Sequence, residues 1–171
     1  MKTQILNRAL MLMALCLVAF GCNAQKIDNS TVKTIDLNRY AGEWYEIARF
    51  DHRFERDLDY CKATYVLCCD NRINVLNTGQ KNGQFKSSSG KAKTTKEPGR
   101  LRVSFFGPFY SDYRVMMLDP DYQYALVGSK SAKYLWILSR TPKLDENVKQ
   151  AILAEATRRG YDVSKLIWVK Q

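Results

Sequence analysis

At 171 residues the chain has room for one ordinary domain, up to the size of one large barrel. It carries 27 basic against 17 acidic residues, a formal charge of +10, which raises nucleic acid as a partner. No run of five basic residues occurs and Arg49, Arg53, Arg56, Lys91, Lys93, Lys96, Arg100 and Arg102 are interspersed, so with the exported context below we exclude nucleic acid and expect a solvated basic surface.

The first element is an export signal. Lys2 and Arg8 precede an uninterrupted apolar run over residues 9–21, too short to span a bilayer and of the right length for a signal-peptide core. Ala19-Phe20-Gly21-Cys22 follows. A small residue directly before Cys is what a lipoprotein signal peptidase needs, because the sulfur carries the diacylglycerol, and Cys22 is the expected lipidation site. The rival is cleavage after Ala24. The expected organisation is a lipoprotein-type signal over 1–21, a lipidated N-terminus and tether over 22–38, and one domain over 39–171. Acyl chains would anchor it more firmly than surface charge could.

Five cysteines are present. Cys16 leaves with the signal. Cys61 and Cys68 lie about 23 Å apart if extended, too far for a disulfide, and neighbours such as Cys68 and Cys69 point to opposite faces. Three cysteines close no disulfide framework and fit no zinc spacing, so no metal is expected.

From Gly42-Glu43-Trp44-Tyr45 onward, short alternating segments are separated by turn signals. The expected strands begin at Trp44 and continue with residues 63–67, 73–77, 85–96, 100–106, 113–118, 124–127 and 133–140. Asp70-Asn71, Gly83, Pro98-Gly99, Gly107-Pro108, Asp119-Pro120 and Gly128-Ser129 punctuate them. Leu144, Val148, Ala151, Ile152 and Ala156 then recur on one helical face, with Gly160 as the stop. Ile167-Trp168-Val169 reads as a short ninth strand. Eight evenly spaced strands signal a sandwich or an up-and-down barrel. The trailing helix with one apolar face favours the barrel.

This order resembles the lipocalin family over residues 37–171. Gly42-x-Trp44 matches the first family signature, and Asp121 and Tyr122 match the second, with Pro120 where Thr is usual. Arg140 matches the third. The resemblance implies that the Arg140 guanidinium packs over Trp44 and closes one end, a cation–π pair worth about 0.5–2 kcal/mol. Gly42, Trp44, Asp121, Tyr122 and Arg140 are thus expected to be structural. The runs 44–56, 103–110 and 134–142 are similar to the bacterial outer-membrane lipocalins, relatives of apolipoprotein D.

The fold class expected is all-β: an eight-stranded antiparallel up-and-down barrel, one C-terminal α-helix packed outside it and a short ninth strand. The resemblance further implies a lipoprotein anchored in the bacterial outer membrane, with the periplasmic face preferred. It would bind a fatty acid or lysophospholipid and need no cofactor. By comparison with family members the inward, ligand-lining residues are Ala63, Tyr65, Leu67, Val75, Asn77, Ala92, Val115, Met117, Val127, Tyr134, Trp136 and Leu138. Open-mouth loops are expected at 51–60, 79–84, 105–112 and 129–132, with Phe50, Phe54, Phe105, Phe106, Phe109 and Tyr110 as aromatics there. Those aromatics suit a lipid portal, a cap or a homodimer contact.

No catalytic residue is expected. His52 is the only His, and no Ser or Cys nucleophile motif surrounds it. The alternative is a lipocalin-fold enzyme using a barrel cysteine, Cys61 or Cys69. A buried Cys acting as a small hydrophobe is the plainer reading.

Overall fold

The computed structural model describes residues 26–68 and 72–171. The proposed signal, Cys22, Cys69 and the Asp70-Asn71 turn pair lie outside the described residues. A short helix α1 (Leu37–Tyr40) leads into β1 (Gly42–Phe50), β2 (Asp59–Leu67), β3 (Arg72–Lys81), β4 (Gln84–Thr94), β5 (Arg100–Phe106), β6 (Phe109–Leu118), β7 (Tyr124–Gly128) and β8 (Leu135–Ser139). Helix α2 (Glu146–Arg158), a 3₁₀ turn (Val163–Lys165) and β9 (Leu166–Trp168) complete the chain.

Every neighbouring pair from β1 to β8 is antiparallel, and β1 pairs with both β2 and β8, which closes the barrel. β9 extends the outside of β1 through Ala48–Trp168 and Phe50–Leu166. Several strands run further than apolar alternation suggests. β3 and β4 pair continuously from Arg72–Lys93 to Lys81–Gln84, because ladder hydrogen bonds do not need apolar side chains. Both faces of β4 from Gln84 to Ser89 are exposed, because β4 pairs with β5 only over Lys91–Thr94.

Two cores result. The inner one joins Trp44, Tyr65, Val75, Ala92, Leu101, Val103, Val115, Val127 and Leu138. The outer one packs Ile152 and Ala156 of α2 on Ile47, Ala48, Phe50, Met116, Leu126 and Ile137. The helix is entered through Asp145, whose carboxylate accepts from Asn147 and Val148 amides.

Register shifts redirect side chains. One falls between Glu46 and Ala48 on β1, another between Val115 and Met117 on β6. An extra residue on one strand displaces the in–out phase. Met117, expected to face inward, therefore packs with the outer, helix-side core; it is not a lining residue. On β1 the same effect leaves Ile47 and Ala48 on the helix side, while Glu46 and Arg49 sit opposite the inward Leu138 and Trp136.

The segment expected as a tether is docked from residue 28 on. The Asp28 and Val32 amides donate to the carbonyls of Arg159 and Val115, and Arg159 Nη1 donates to the carbonyls of Asp28 and Ser30. Asp36 caps α1 through the Asn38 amide. This stretch has no apolar period because it is held by backbone and side-chain hydrogen bonds to distant elements, with only Val32 and Ile35 packing on the inner core.

Candidate functional site

The floor of the barrel is built around Trp44, which is fully buried. Its indole N–H donates to the Tyr40 carbonyl at 2.8 Å, and the Arg140 guanidinium lies 3.8 Å from its ring centre. Arg140 also donates to the carbonyls of Arg39, Tyr40, Ala41, Glu43 and Tyr122. Gly42 has φ +93, and a Cβ there would sit 3.4 Å from Arg140 Nη1, so Gly is what this turn permits. Pro120 supplies no amide to the second-signature turn; instead the Asp119 carboxylate accepts from the amides of Asp121 and Gln123. Asp121 is exposed, while the Tyr122 hydroxyl accepts from the Asp36 amide.

Above the floor three tyrosines meet. The Tyr113 hydroxyl lies 2.6 Å from that of Tyr40 and 2.9 Å from that of Tyr65. Burial raises the pKa of all three, so they stay neutral. The Tyr65 hydroxyl is thus engaged with protein. Ala63, Leu67, Val75, Ala92, Val115, Val127, Trp136 and Leu138 belong to or pack on the same inner core.

Sequence reasoning missed Ile73, Leu101, Val103, Phe105 and Tyr113 of that core. Phe105, expected at the mouth, turns inward over Gly90, where a Cβ would come within 2.7 Å of its ring. The Val75–Gly90 pairing on the inner face is the signal that locates it. Phe50, also expected at the mouth, is buried edge-on against Tyr161 of the outer core. Phe54, Phe106 and Phe109 are exposed, with Phe54 and Phe106 centroids 6.3 Å apart, and form the apolar rim.

The mouth is polar inside. Loop 51–58 folds back so that Trp136 Nε1 donates to Glu55 Oε2 at 3.1 Å and Asn77 Nδ2 to Glu55 Oε1 at 3.4 Å. His52 Nε2 stands 2.8 Å from Glu55 Oε2. The His52 ring contacts those of Tyr134 and Trp136, which stack at 11°. Arg49 holds the loop from below, donating to the carbonyls of Glu55 and Leu58 and pairing with Glu46 at 2.7 Å.

Burial favours the neutral form of Glu55, but His52, Trp136 and Arg49 outweigh it and hold the carboxyl below its usual range. Burial and the neighbouring Glu55 push Glu46 upward against the pull of Arg49. Cys61, beside them, is pushed up to about 12, chiefly by burial and then by Glu46. Neither Glu55 nor His52 was expected inside the barrel, since both belong to a polar loop with no period. Arg53 and Arg56 stay outside, Arg56 pairing with Asp51.

Two surface grooves, of about 340 and 310 Å³, lie beside the N-terminal segment and beside the start of α2, and contain none of the expected lining residues. Among the described residues no cluster of three or more His, Cys, Asp or Glu is arranged to hold a metal, and no helix is long and apolar enough to cross a membrane.

The described geometry agrees with comparisons to known proteins. Insecticyanin from the tobacco hornworm Manduca sexta superposes with a TM-score of 0.71 at 23% identity, over 84% of this chain and 85% of that one, which supports the fold. The outer membrane lipoprotein Blc of Escherichia coli is 54% identical over 146 residues, 83% of this chain and 82% of that protein. The protein of the same name from Vibrio cholerae is 40% identical over 169 residues, 96% and 99% of the two chains. Mouse apolipoprotein D is 31% identical over 150 residues, 81% and 78% of the two. The relatives named outer membrane lipoproteins support a lipid-anchored placement at the bacterial outer membrane. Residues 35–171 match the lipocalin-like domain, and with the closed barrel, the outer helix and the Trp44–Arg140 floor they show that the chain belongs to the lipocalin family.

Proposed function

We propose that this protein is a lipid-anchored lipocalin of the outer membrane that binds and stores or transports a fatty acid or lysophospholipid in its barrel, and that it is a binding protein, not an enzyme. The observation that carries the reading is the gradient inside the barrel. Val75, Ala92, Val115, Val127 and Leu138 make an apolar wall around a tyrosine cluster whose hydroxyls bond one another, and Asn77, His52, Glu55 and Trp136 gather polar groups at the mouth. An acyl chain with a polar head matches that order. The exposed Phe54, Phe106 and Phe109 rim is where lipid would enter, and Cys22 is the anchor. The raised pKa and burial of Cys61 weigh against a thiolate nucleophile.

The test is native mass spectrometry of the membrane-extracted protein, paired with displacement of a fluorescent fatty acid. Co-purified monoacyl lipid and micromolar displacement are the expected results. No lipid together with no displacement would overturn the reading.

A further inference from the structure

The mouth holds a carboxylate of the protein's own. Glu55 Oε1 and Oε2 receive Asn77 Nδ2 and Trp136 Nε1, and His52 Nε2 lies 2.8 Å from Oε2. Asn77 and Trp136 come from β3 and β8, strands on different sides of β1 and β2 in the barrel wall. Glu55 comes from the loop above. Two strands and the loop therefore meet at one carboxylate above the apolar inner core. The Glu55 and His52 side chains are only 14% and 9% exposed.

The polar groups here exceed what the loop uses. Asn77 Oδ1 and both ring nitrogens of His52 are buried and make no hydrogen bond of good geometry among the described residues, Nε2 despite lying 2.8 Å from Glu55 Oε2. A buried polar atom left unpaired is costly, so a further polar group fits here; the unused donor for an anion is on His52, since Asn77 Oδ1 can only accept. The loop's backbone is fixed separately, by Arg49 on the Glu55 and Leu58 carbonyls. The Glu55 side chain can therefore swing out by rotamer change without releasing the loop.

We infer that Asn77, Trp136 and His52 form an oxyanion subsite for the ligand's head group, a carboxylate or a phosphate, and that Glu55 occupies it in the ligand-free chain. This rests on the barrel being a lipid site. Binding then exchanges one anion for another on the same donors, so the buried charge is conserved. The apparent affinity for an anionic lipid is reduced by the fraction of chains in which Glu55 holds the donors. A lipid with an uncharged head gains nothing from displacing Glu55.

The experiment compares wild type, Glu55→Gln and Glu55→Ala for binding of cis-parinaric acid, its methyl ester and, by competition, a monoacyl glycerol phosphate. Glu55→Gln keeps the side-chain volume and is read first; its thermal midpoint checks folding. The expected result is about tenfold tighter binding of the carboxylate and phosphate lipids in both variants, with the ester unchanged. Which of the two anions gains more identifies the natural head group. Adding Trp136→Phe to Glu55→Ala should remove most of the gain. Unchanged or weaker anion binding, or an equal gain for the ester, would overturn the subsite while leaving the lipid site standing. Binding of none of the lipids to any form would overturn both.

Discussion

The guanidinium of Arg140 lies 3.8 Å from the ring centre of Trp44, and both side chains converge on the Tyr40 carbonyl, Arg140 through Nη2 and Trp44 through Nε1. The same guanidinium collects the carbonyls at the end of α1 and the start of β1, so one side chain ties β8 to the chain entry. Arg140→Met removes the charge–ring contact and leaves several carbonyls without a donor. We expect a loss of about 3 kcal/mol, read as a lower denaturant midpoint. Arg140→Lys should recover little of it, since one ammonium cannot replace a planar fork. A loss below about 0.5 kcal/mol would show that the floor is held by other contacts.

Arg159 should fasten the N-terminal segment. Its Nη1 reaches the Asp28 and Ser30 carbonyls, and its Nη2 the Met116 carbonyl. Arg159→Ala is expected to speed amide hydrogen exchange at Asp28 and Val32, the two amides paired with Arg159 and Val115, by at least about tenfold. Amides of β3 and β4 should be unaffected. Uniform acceleration across the barrel would instead mean a global destabilisation.

Glu155 gives a pH signature. The hydrogen bond from Arg158 is the largest cause; burial opposes it, and the hydrogen bond from Arg159 with the charges of both arginines carries the pKa down to about 2. A group lowered on folding contributes stability above its unfolded value near about 4.3, and that contribution disappears as pH falls from about 5 toward 2. The same sign holds for Asp112, where burial opposes ionisation but Arg100 and Arg114 prevail. After allowance for solvent screening the Glu155 share is about 1 kcal/mol. Glu155→Gln should therefore lower stability at pH 7 and flatten the acid limb between pH 5 and 2. Parallel acid limbs for the two proteins would contradict the assignment.

Cys61 should be inert in the folded protein. With Cys22→Ser, Cys68→Ser and Cys69→Ser in the mature chain, Cys61 is the remaining thiol. A pKa near 12 leaves it on the order of a thousandfold less thiolate at pH 8 than a free Cys, and burial blocks access as well. Labelling by a disulfide reagent should occur only on unfolding. Rapid labelling that bound lipid suppresses would revive the barrel-cysteine enzyme.

Much of the fold is legible in local pattern. Alternation with turn residues between segments is a property of neighbours in sequence, so strand number and the outer helix can be read directly, while the inner face at Ala63, Val75 and Leu138 came from the family resemblance. The docked residues 28–36 could not be read this way, because their partners, Arg159, Val115 and Tyr122, lie 83 or more positions away.

What the sequence alone determined is the barrel and its floor: Gly42, Trp44 and Arg140 are recognisable as types at fixed places, and their contacts follow once the ends meet. The phase of side chains and the nature of the mouth depend on long-range packing. A register shift at Val115–Met117 turned Met117 out of the barrel, and another near Ile47 aligned Glu46 and Arg49 with the inner face. Loop 51–58 brought Glu55 to Trp136, 81 positions away. Register depends on how the closed sheet satisfies its hydrogen bonds as a whole, and a buried carboxylate depends on donors gathered from several strands. Neither leaves a period in the chain.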